Sequence, residues 1–255
     1  IIVSYKPELE GFGTTNHSGA TGDALEWIKV FDGDVVDMEQ IQTHPTVIPE
    51  KNIMITEAVR GNGAIMINRD GKRFGSEMAT RDVMSDAILK QKGKTAFLVF
   101  DQGVRDSLKA IEGYAKQGLL TVGKDLKELA EKLKIDAGEF EKSVKKYNDA
   151  VEKGLDEEFG RKASEMPRKI EIGPFYAVEV GPAVHHTMGG IKINADTEVL
   201  NKDGNVIPGL YAAGEVTGGV HGANRLGGNA VADITVFGKI AGDKASEYVE
   251  IVEAE

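Results

Sequence analysis

Cysteine is absent from all 255 residues. That removes disulfides, thiolate nucleophiles, iron–sulfur ligation and cysteine-based zinc sites from anything this chain does alone. Long apolar runs are absent too: none approaches the roughly 20 residues needed to cross a bilayer, and no charged-then-apolar leader opens the chain. A soluble protein without membrane insertion is expected. Position 1 is Ile, not Met, so the native N-terminus and any targeting segment are expected to lie outside this sequence, which leaves the compartment open between cytoplasm and periplasm. Excess positive charge is missing as well. Lys and Arg number 31 against 41 Asp and Glu, a formal net charge of −10, and such a field repels nucleic acid and anionic membrane surfaces. An anionic ligand must then be drawn by a local basic cluster.

What is present is an ordinary globular composition, 41% hydrophobic and 28% charged, enough to bury one large core or two modest ones. Residues 1 to about 40 read as a connector with one short apolar helix through Leu25, Trp27 and Ile28. The segment Gly63–Phe74 alternates around Asp70-Gly71, which predicts a two-residue hairpin. Ala96–Asp101 reads as a buried strand. Between Asp125 and Lys153 run two helical patterns, one capped by Asp125 and one opened by Asp136 with Glu139. Residues 156–169 are charged and predict a surface loop ending at Pro167. The last seventy or so residues change to short strands, a turn at Asp203-Gly204, a glycine-rich loop and a closing helix from about Gly228, which is one βα unit of a nucleotide-binding sheet.

Three constellations carry chemistry. The richest is the glycine-rich run Gly214-Glu215-Val216-Thr217-Gly218-Gly219-Val220-His221-Gly222-Ala223-Asn224-Arg225-Leu226-Gly227-Gly228-Asn229-Ala230, set between a strand and a helix. Glycines let backbone approach a ligand and the helix N-terminus attracts an anion; a plain strand-to-helix turn rarely needs so many. A dinucleotide fingerprint G-x-G-x-x-G with an acidic residue about 20 positions later is missing. Gly61-Asn62-Gly63 is followed by Met66 and reads as a backbone bend. The second constellation is His44-Pro45-Thr46, Thr56-Glu57-Ala58-Val59-Arg60 and Thr80-Arg81-Asp82, dense in groups able to bind and protonate a small anion; taken singly, each residue fits a structural ion pair equally well. The third is His185-His186-Thr187-Met188-Gly189-Gly190. Adjacent histidines in a strand point to opposite faces, so at most one should face a given pocket. Metal ligation by these histidines lacks H-E-x-x-H or a carboxylate cluster.

Taken together, HPT at 44–46, TEAVRGNGA at 56–64, TRD at 80–82, HHTMGG at 185–190 and the 214–230 loop resemble the flavoproteins of the fumarate reductase and succinate dehydrogenase family, especially the soluble flavocytochrome c type of anaerobic respiration and electron transport. The resemblance implies an α+β and α/β fold in which a clamp domain of mixed strands and helices is inserted in a nucleotide-binding FAD domain, with fumarate held between them. Residues 1–40 and 186–255 would be the rear of the FAD domain and 41–185 the clamp. The family's N-terminal FAD segment is not among these residues, so FAD is implied as cofactor with the expectation that this chain alone holds it weakly or not at all.

The roles implied by the resemblance are specific. Arg225 and His185 would hold one carboxylate of fumarate, and His44 with Thr56 the other. Flavin N5 would deliver hydride, Arg81 would deliver the proton, and Glu57 and Arg60 would reprotonate Arg81. Asn16, His17, Gly19, Ala20, Thr21 and Asp23 match the flavin-side loop. His186, Glu215, Gly227, Gly228, Asn229 and Ala230 would also line the cofactor. A structural sodium near Thr187 and Glu215 occurs in some relatives; no other metal is implied. The implied partners are a small dicarboxylate and an electron-donor domain or protein outside this chain. Alternatives are a related urocanate reductase or aspartate oxidase, or a non-catalytic fragment without FAD; a histidine at position 44 favours the small dicarboxylate.

Overall fold

The computed structural model describes residues 1–254. The chain divides into two units, one formed by Ile1–Phe12, Asn16–Gln42 and the residues from Val184 onward, the other by Gly13–Thr15 and Thr43–Ala183.

The larger unit is organised by a strand that has no polar face. Ala96–Asp101 is buried at every position, and it pairs antiparallel with Phe175–Thr187 on one side and Ile65–Ile67 on the other. Alternate side chains leave opposite faces of a strand. Phe97 and Val99 therefore join a core with Leu129, Phe140, Val144 and Tyr147 from the helices Leu126–Leu133 and Ala137–Lys153. Leu98 and Phe100 join a second core with Met84, Ile88, Val104 and Ile111 from the helices Arg81–Leu89, Gln102–Ser107 and Ala110–Lys116. A strand covered on both faces needs a continuous apolar run, which is why AFLVF shows no alternation. Each such side chain contributes roughly 1.5–3 kcal/mol by burial. The full strand order is Ile53–Met54, Ile41–Ile48, Phe175–Thr187, Ala96–Asp101, Ile65–Ile67, with Thr121–Gly123 also paired to Phe175–Thr187.

Both expected helix caps form. The Asp125 carboxylate accepts from the Glu128 N–H at 2.8 Å and Asp136 from the Glu139 N–H at 2.7 Å, each worth about 1 kcal/mol. The Glu139 side chain turns to Lys142.

Two expectations fail, for one reason. After Ile65–Ile67 the chain does turn, with Gly71 at φ +75° and the Asn68 side chain accepting from the Asp70 and Lys72 N–H groups. No second strand returns along the first, because Arg73 leaves the surface for the interior. Arg73 is buried and forks onto Glu77, with Nε to Oε1 and Nη2 to Oε2 both 2.8 Å, while Nη2 also meets Asp156 at 2.9 Å. Arg161 reaches the same Glu77 carboxylate at 3.1 Å. The segment 156–169 is thus no plain surface loop: Asp156 and Arg161 are buried in the interior. Both arginines lie over the Tyr147 ring, Arg73 at 5.4 Å and Arg161 at 5.5 Å, and burial raises the Tyr147 hydroxyl to about 12.

The smaller unit has a three-stranded sheet in the order Val35–Val36, Gly190–Lys192, Thr217–Gly218, antiparallel then parallel. Its strands approach so closely that a Cβ on Gly190 would sit 2.3 Å from the Val216 carbonyl oxygen. The hairpin of Glu198–Leu200 and Val206–Tyr211 closes at Asp203-Gly204 as the sequence predicts, with Gly204 at φ +82°. Ile28 is buried with Ile191 and Val199, whereas Trp27, expected on the same apolar helix, is 68% exposed. The closing helix runs over Asn229–Ala254. Among its described residues only Asp233 is buried, and Val231, Ile234, Val236, Val249, Ile251 and Val252 are exposed.

The buried charges generate a stability prediction. Removing one partner of a buried ion pair costs about 3–5 kcal/mol, so Asp156→Ala in the intact protein should lose that much in urea denaturation. Burial works to raise the Asp156 carboxyl, but the Arg73 hydrogen bond and charge prevail and hold it below its usual range. A lowered carboxyl stabilises above its unfolded value of about 3.9 and loses this as pH falls through the folded value. The difference between wild type and Asp156→Ala should therefore shrink only in that acid range. A loss below about 1 kcal/mol near neutrality would place the pair with weak surface bridges.

Candidate active site

In the larger unit the residues 56–60 and 81 are drawn together by a short helix facing the start of a longer one. Ala58–Gly61 forms one turn with Glu57 just before it, and Arg81 is the first residue of Arg81–Leu89. Glu57 Oε2 lies 3.2 Å from Arg81 Nε and 3.6 Å from Arg60 Nη2. One carboxylate oxygen thus stands between two guanidinium groups. Its side chain is 41% exposed while those of Arg60 and Arg81 are 1% and 11% exposed, so the carboxylate between them is the member of the three that meets solvent. Burial lowers Arg60 to about 10; Glu57 opposes this and the positive charge of Arg81 adds to it. Arg60 Nη1 donates to the Glu77 carbonyl oxygen at 2.5 Å, but Nε and Nη2 are buried without a hydrogen-bond partner.

His44 is buried on the strand Ile41–Ile48. Its Nδ1 accepts from the Thr46 N–H at 3.3 Å, and the Thr46 hydroxyl is spent on the Ile55 carbonyl oxygen at 2.8 Å. A ring nitrogen that accepts leaves the other carrying the proton, so Nε2 is the donor. The Thr56 N–H donates to the Tyr114 hydroxyl at 3.0 Å. Tyr114 was not foreseen: nothing local links it to a residue 58 positions away.

In the smaller unit the two adjacent histidines differ as their strand geometry requires. His185 is half-buried; His186 is buried, with Nδ1 3.1 Å from Glu215 Oε2. Glu215 Oε1 also accepts from the Thr187 N–H at 3.0 Å. Burial acts to raise the Glu215 carboxyl, but the hydrogen bonds from His186 and Thr187 and the charges of His186 and Arg225 hold it below the usual range. Arg225 is buried and donates to Gln42 Oε1 and to the Leu226 carbonyl oxygen, each at 3.2 Å. Gln42 returns through Nε2 to the Arg225 carbonyl oxygen and to Asn224 Oδ1, both at 2.7 Å. Gln42 thereby fixes the arginine from both backbone and side chain, a role invisible in a sequence where they stand 183 positions apart. His221 Nε2 meets Asp233 at 3.0 Å, and the His186 and His221 rings lie edge to face at 5.5 Å. The loop Asn16–Asp23 is largely exposed, with His17 Nδ1 accepting from the Gly19 N–H at 2.9 Å and Thr21 donating to Asp23 at 2.7 Å; Ala20 lies between them.

This loop system fits a polar organic cofactor. Gly214, Gly219, Gly222 and Gly228 adopt positive φ, so backbone polar groups of 214–230 are displayed without side chains in the way. Two buried polar atoms, His186 Nε2 and Asp233 Oδ1, have no hydrogen-bond partner, a situation that native proteins normally resolve with water or a ligand. Gly227, Gly228, Asn229 and Ala230 open a 26-residue helix whose positive end favours anionic groups. Among the described residues no group of three His, Cys, Asp or Glu is arranged to hold a metal ion, and no helix is long and apolar enough to cross a membrane.

A family model described as an FAD binding domain matches residues 2–231. The chain is 49% identical over 247 residues to the fumarate reductase (cytochrome) of Shewanella frigidimarina, covering 97% of this chain and 43% of that protein. It is also 49% identical over 247 residues to the NADH:fumarate oxidoreductase of Klebsiella pneumoniae, covering 97% of this chain and 27% of that protein. Among solved structures, the open conformation of a flavocytochrome c3 fumarate reductase superposes with a TM-score of 0.78 at 45% identity, covering 97% of this chain and 43% of the other. The chain thus spans less than half the length of these relatives. Its mixed strands and helices in several sheets resemble the fumarate reductase flavoprotein fold, and the chain belongs to the FAD-binding domain family.

Proposed function

We propose that these residues serve flavin-dependent reduction of fumarate to succinate, with 41–185 acting as the substrate clamp and 1–40 and 186–255 belonging to the FAD domain. The observation that carries this is the Arg60–Glu57–Arg81 alignment, with one carboxylate oxygen within 3.6 Å of both guanidinium groups. The names of the relatives support the same substrate.

FAD, when bound and reduced, supplies hydride to the alkene. Asn16, His17, Gly19, Ala20, Thr21, Asp23, His186, Glu215, Gly227, Gly228, Asn229 and Ala230 would hold it. Arg225, oriented by Gln42, and His185 take one substrate carboxylate. His44, through Nε2–H, and Thr56 take the other. These charge-assisted contacts orient the substrate and draw electron density from the double bond. Arg81 gives its proton to the carbon beside the one that accepts hydride. A guanidinium is a weak acid, with a pKa above about 12, so proton release must coincide with resupply. Glu57, in contact with Arg81 and half-exposed, is placed to return a proton, and Arg60, which burial lowers to about 10, stands on its other side. Thr187 and Glu215 would border the structural sodium that the resemblance implies. Electrons come from a donor outside these residues.

Two outcomes follow for the flavin-loaded protein. Arg81→Ala should lower fumarate turnover by at least about 10²- to 10⁴-fold, the usual worth of general acid catalysis, with flavin absorbance unchanged; near-normal turnover would remove Arg81 from the acid role. Arg225→Ala or His185→Ala should act chiefly on binding. Losing a charged hydrogen bond costs about 1.5–3 kcal/mol, so KM for fumarate should rise roughly 10- to 150-fold, and an unchanged KM in steady-state assays would show that the carboxylate is held elsewhere.

A further inference from the structure

The cluster behind Arg60 holds three arginines, Arg60, Arg73 and Arg161, and two carboxylates, Glu77 and Asp156, all buried. Counting charges, three positive against two negative leaves one positive in excess. Its location follows from who is paired. Glu77 receives Arg73 at both oxygens, Arg161 at Oε2 and the Met66 N–H at Oε1. Asp156 receives Arg73. Arg60 meets only the Glu77 carbonyl oxygen, with Glu57 at 3.6 Å. The excess charge therefore resides on Arg60.

Arg161 maintains this arrangement from the far segment 156–169. Its Nη2 donates to the Arg60 carbonyl oxygen at 2.5 Å, its Nη1 to the Ala64 carbonyl oxygen and Glu77 Oε2, each at 3.1 Å, and its Nε to the Glu165 carbonyl oxygen at 3.0 Å. It clamps the end of Ala58–Gly61 and the entry to Ile65–Ile67, the two points between which the Arg60 backbone is fixed. It shares Glu77 Oε2 with Arg73.

We propose that Arg161 is a positioning residue for proton delivery: it holds the backbone of Arg60 and sets a like charge behind it, so that Arg60, the one arginine of this cluster without a carboxylate hydrogen bond, faces Glu57 as the inner member of the relay. The inference rests on the reading of Arg60 as part of that relay. The charged groups around Arg60 are Glu57 and Arg81 on the outer side and Glu77 and Arg161 on the inner side, with Arg73, Asp156 and the Tyr147 hydroxyl behind them. Removing Arg161 takes away a like charge and frees the Arg60 carbonyl oxygen. Loss of the like charge favours the protonated form of Arg60, which burial otherwise holds near 10, and makes it a poorer donor.

The test uses the flavin-loaded, full-length protein with Arg161→Gln, Arg161→Lys and Arg60→Gln, scored by fumarate kcat and KM across the alkaline range, with circular dichroism and flavin content as folding controls. Arg161→Gln should lower kcat by about 10- to 100-fold, the scale of a misplaced catalytic group. Its KM should stay near wild type, and the alkaline limb of kcat should move to higher pH. Arg161→Lys, which keeps the charge but loses the two-pronged hold, should leave the limb in place and recover part of kcat. A folded Arg161→Gln with wild-type kcat, or one whose kcat falls in proportion to lost flavin with an unmoved limb, would overturn the proposal. If Arg161→Gln does not fold, Arg161→Lys decides: a lowered kcat at normal flavin content supports the hold, and wild-type kcat overturns it. If Arg60→Gln turns over fumarate as wild type does, the relay reading itself fails, which is a different result from an intact relay indifferent to Arg161.

Discussion

Charge buried out of balance is the constraint around which the larger unit is arranged. A guanidinium taken from water without a carboxylate is expensive, and the molecule meets most of that expense by bringing Glu77 and Asp156 to the same place as Arg73 and Arg161. Satisfying these groups recruits chain from three separate stretches. The return arm after Gly71 turns inward to deliver Arg73 and Glu77, and the charged segment after the helix Ala137–Lys153 folds back to deliver Asp156 and Arg161. The Tyr147 ring of that helix lies beneath both arginines. What the network leaves without a carboxylate hydrogen bond is Arg60, held at 3.6 Å from one half-exposed carboxylate. A cluster built only for stability would have every guanidinium matched; replacing ions by apolar side chains is often at least as stabilising. The mismatch at Arg60 makes sense where a proton has to move.

The parts of the fold legible in the sequence are those set by short-range rules. Ala96–Asp101 showed itself by six consecutive residues without a polar face, Asp125 and Asp136 by their position before amphipathic helices, and Asp203-Gly204 by turn chemistry. The errors came where long-range pairing overrode a local signal. Asp70-Gly71 makes its turn, but the arm after it carries Arg73 inward to Glu77 and Asp156 instead of pairing with Ile65–Ile67. A run as charged as 156–169 looks solvated, because nothing within it announces that Asp156 and Arg161 have partners more than 80 positions away. Of the candidate site, Glu57, Arg60 and Arg81 are brought together as their crowding in the sequence suggested. Gln42, Tyr114 and Arg161 had no visible signal, since each acts through contacts distant in the chain.

The cofactor side is built on a different physical basis. There the groups are displayed by glycines at positive φ and by strands that approach within the space a methyl would fill. His186 and Arg225 are buried and oriented by Glu215 and Gln42, while His186 Nε2 and Asp233 Oδ1 keep open valences. Rigid polar groups with unfilled hydrogen-bonding capacity are what a large polar ligand requires, and they explain why the glycine-rich loop tolerates so few side chains that could close over it.

The proposal on which the rest turns is that reduced flavin held by these residues would pass its electrons to a dicarboxylate alkene while an arginine relay supplies the proton. The most direct measurement is a single turnover: anaerobic mixing of the prereduced, flavin-loaded protein with fumarate, followed by flavin absorbance and by the succinate formed. Flavin should reoxidise on addition of fumarate with equimolar succinate, and more slowly in D2O than in H2O because proton delivery accompanies the step. Flavin that stays reduced in the presence of saturating fumarate would contradict it.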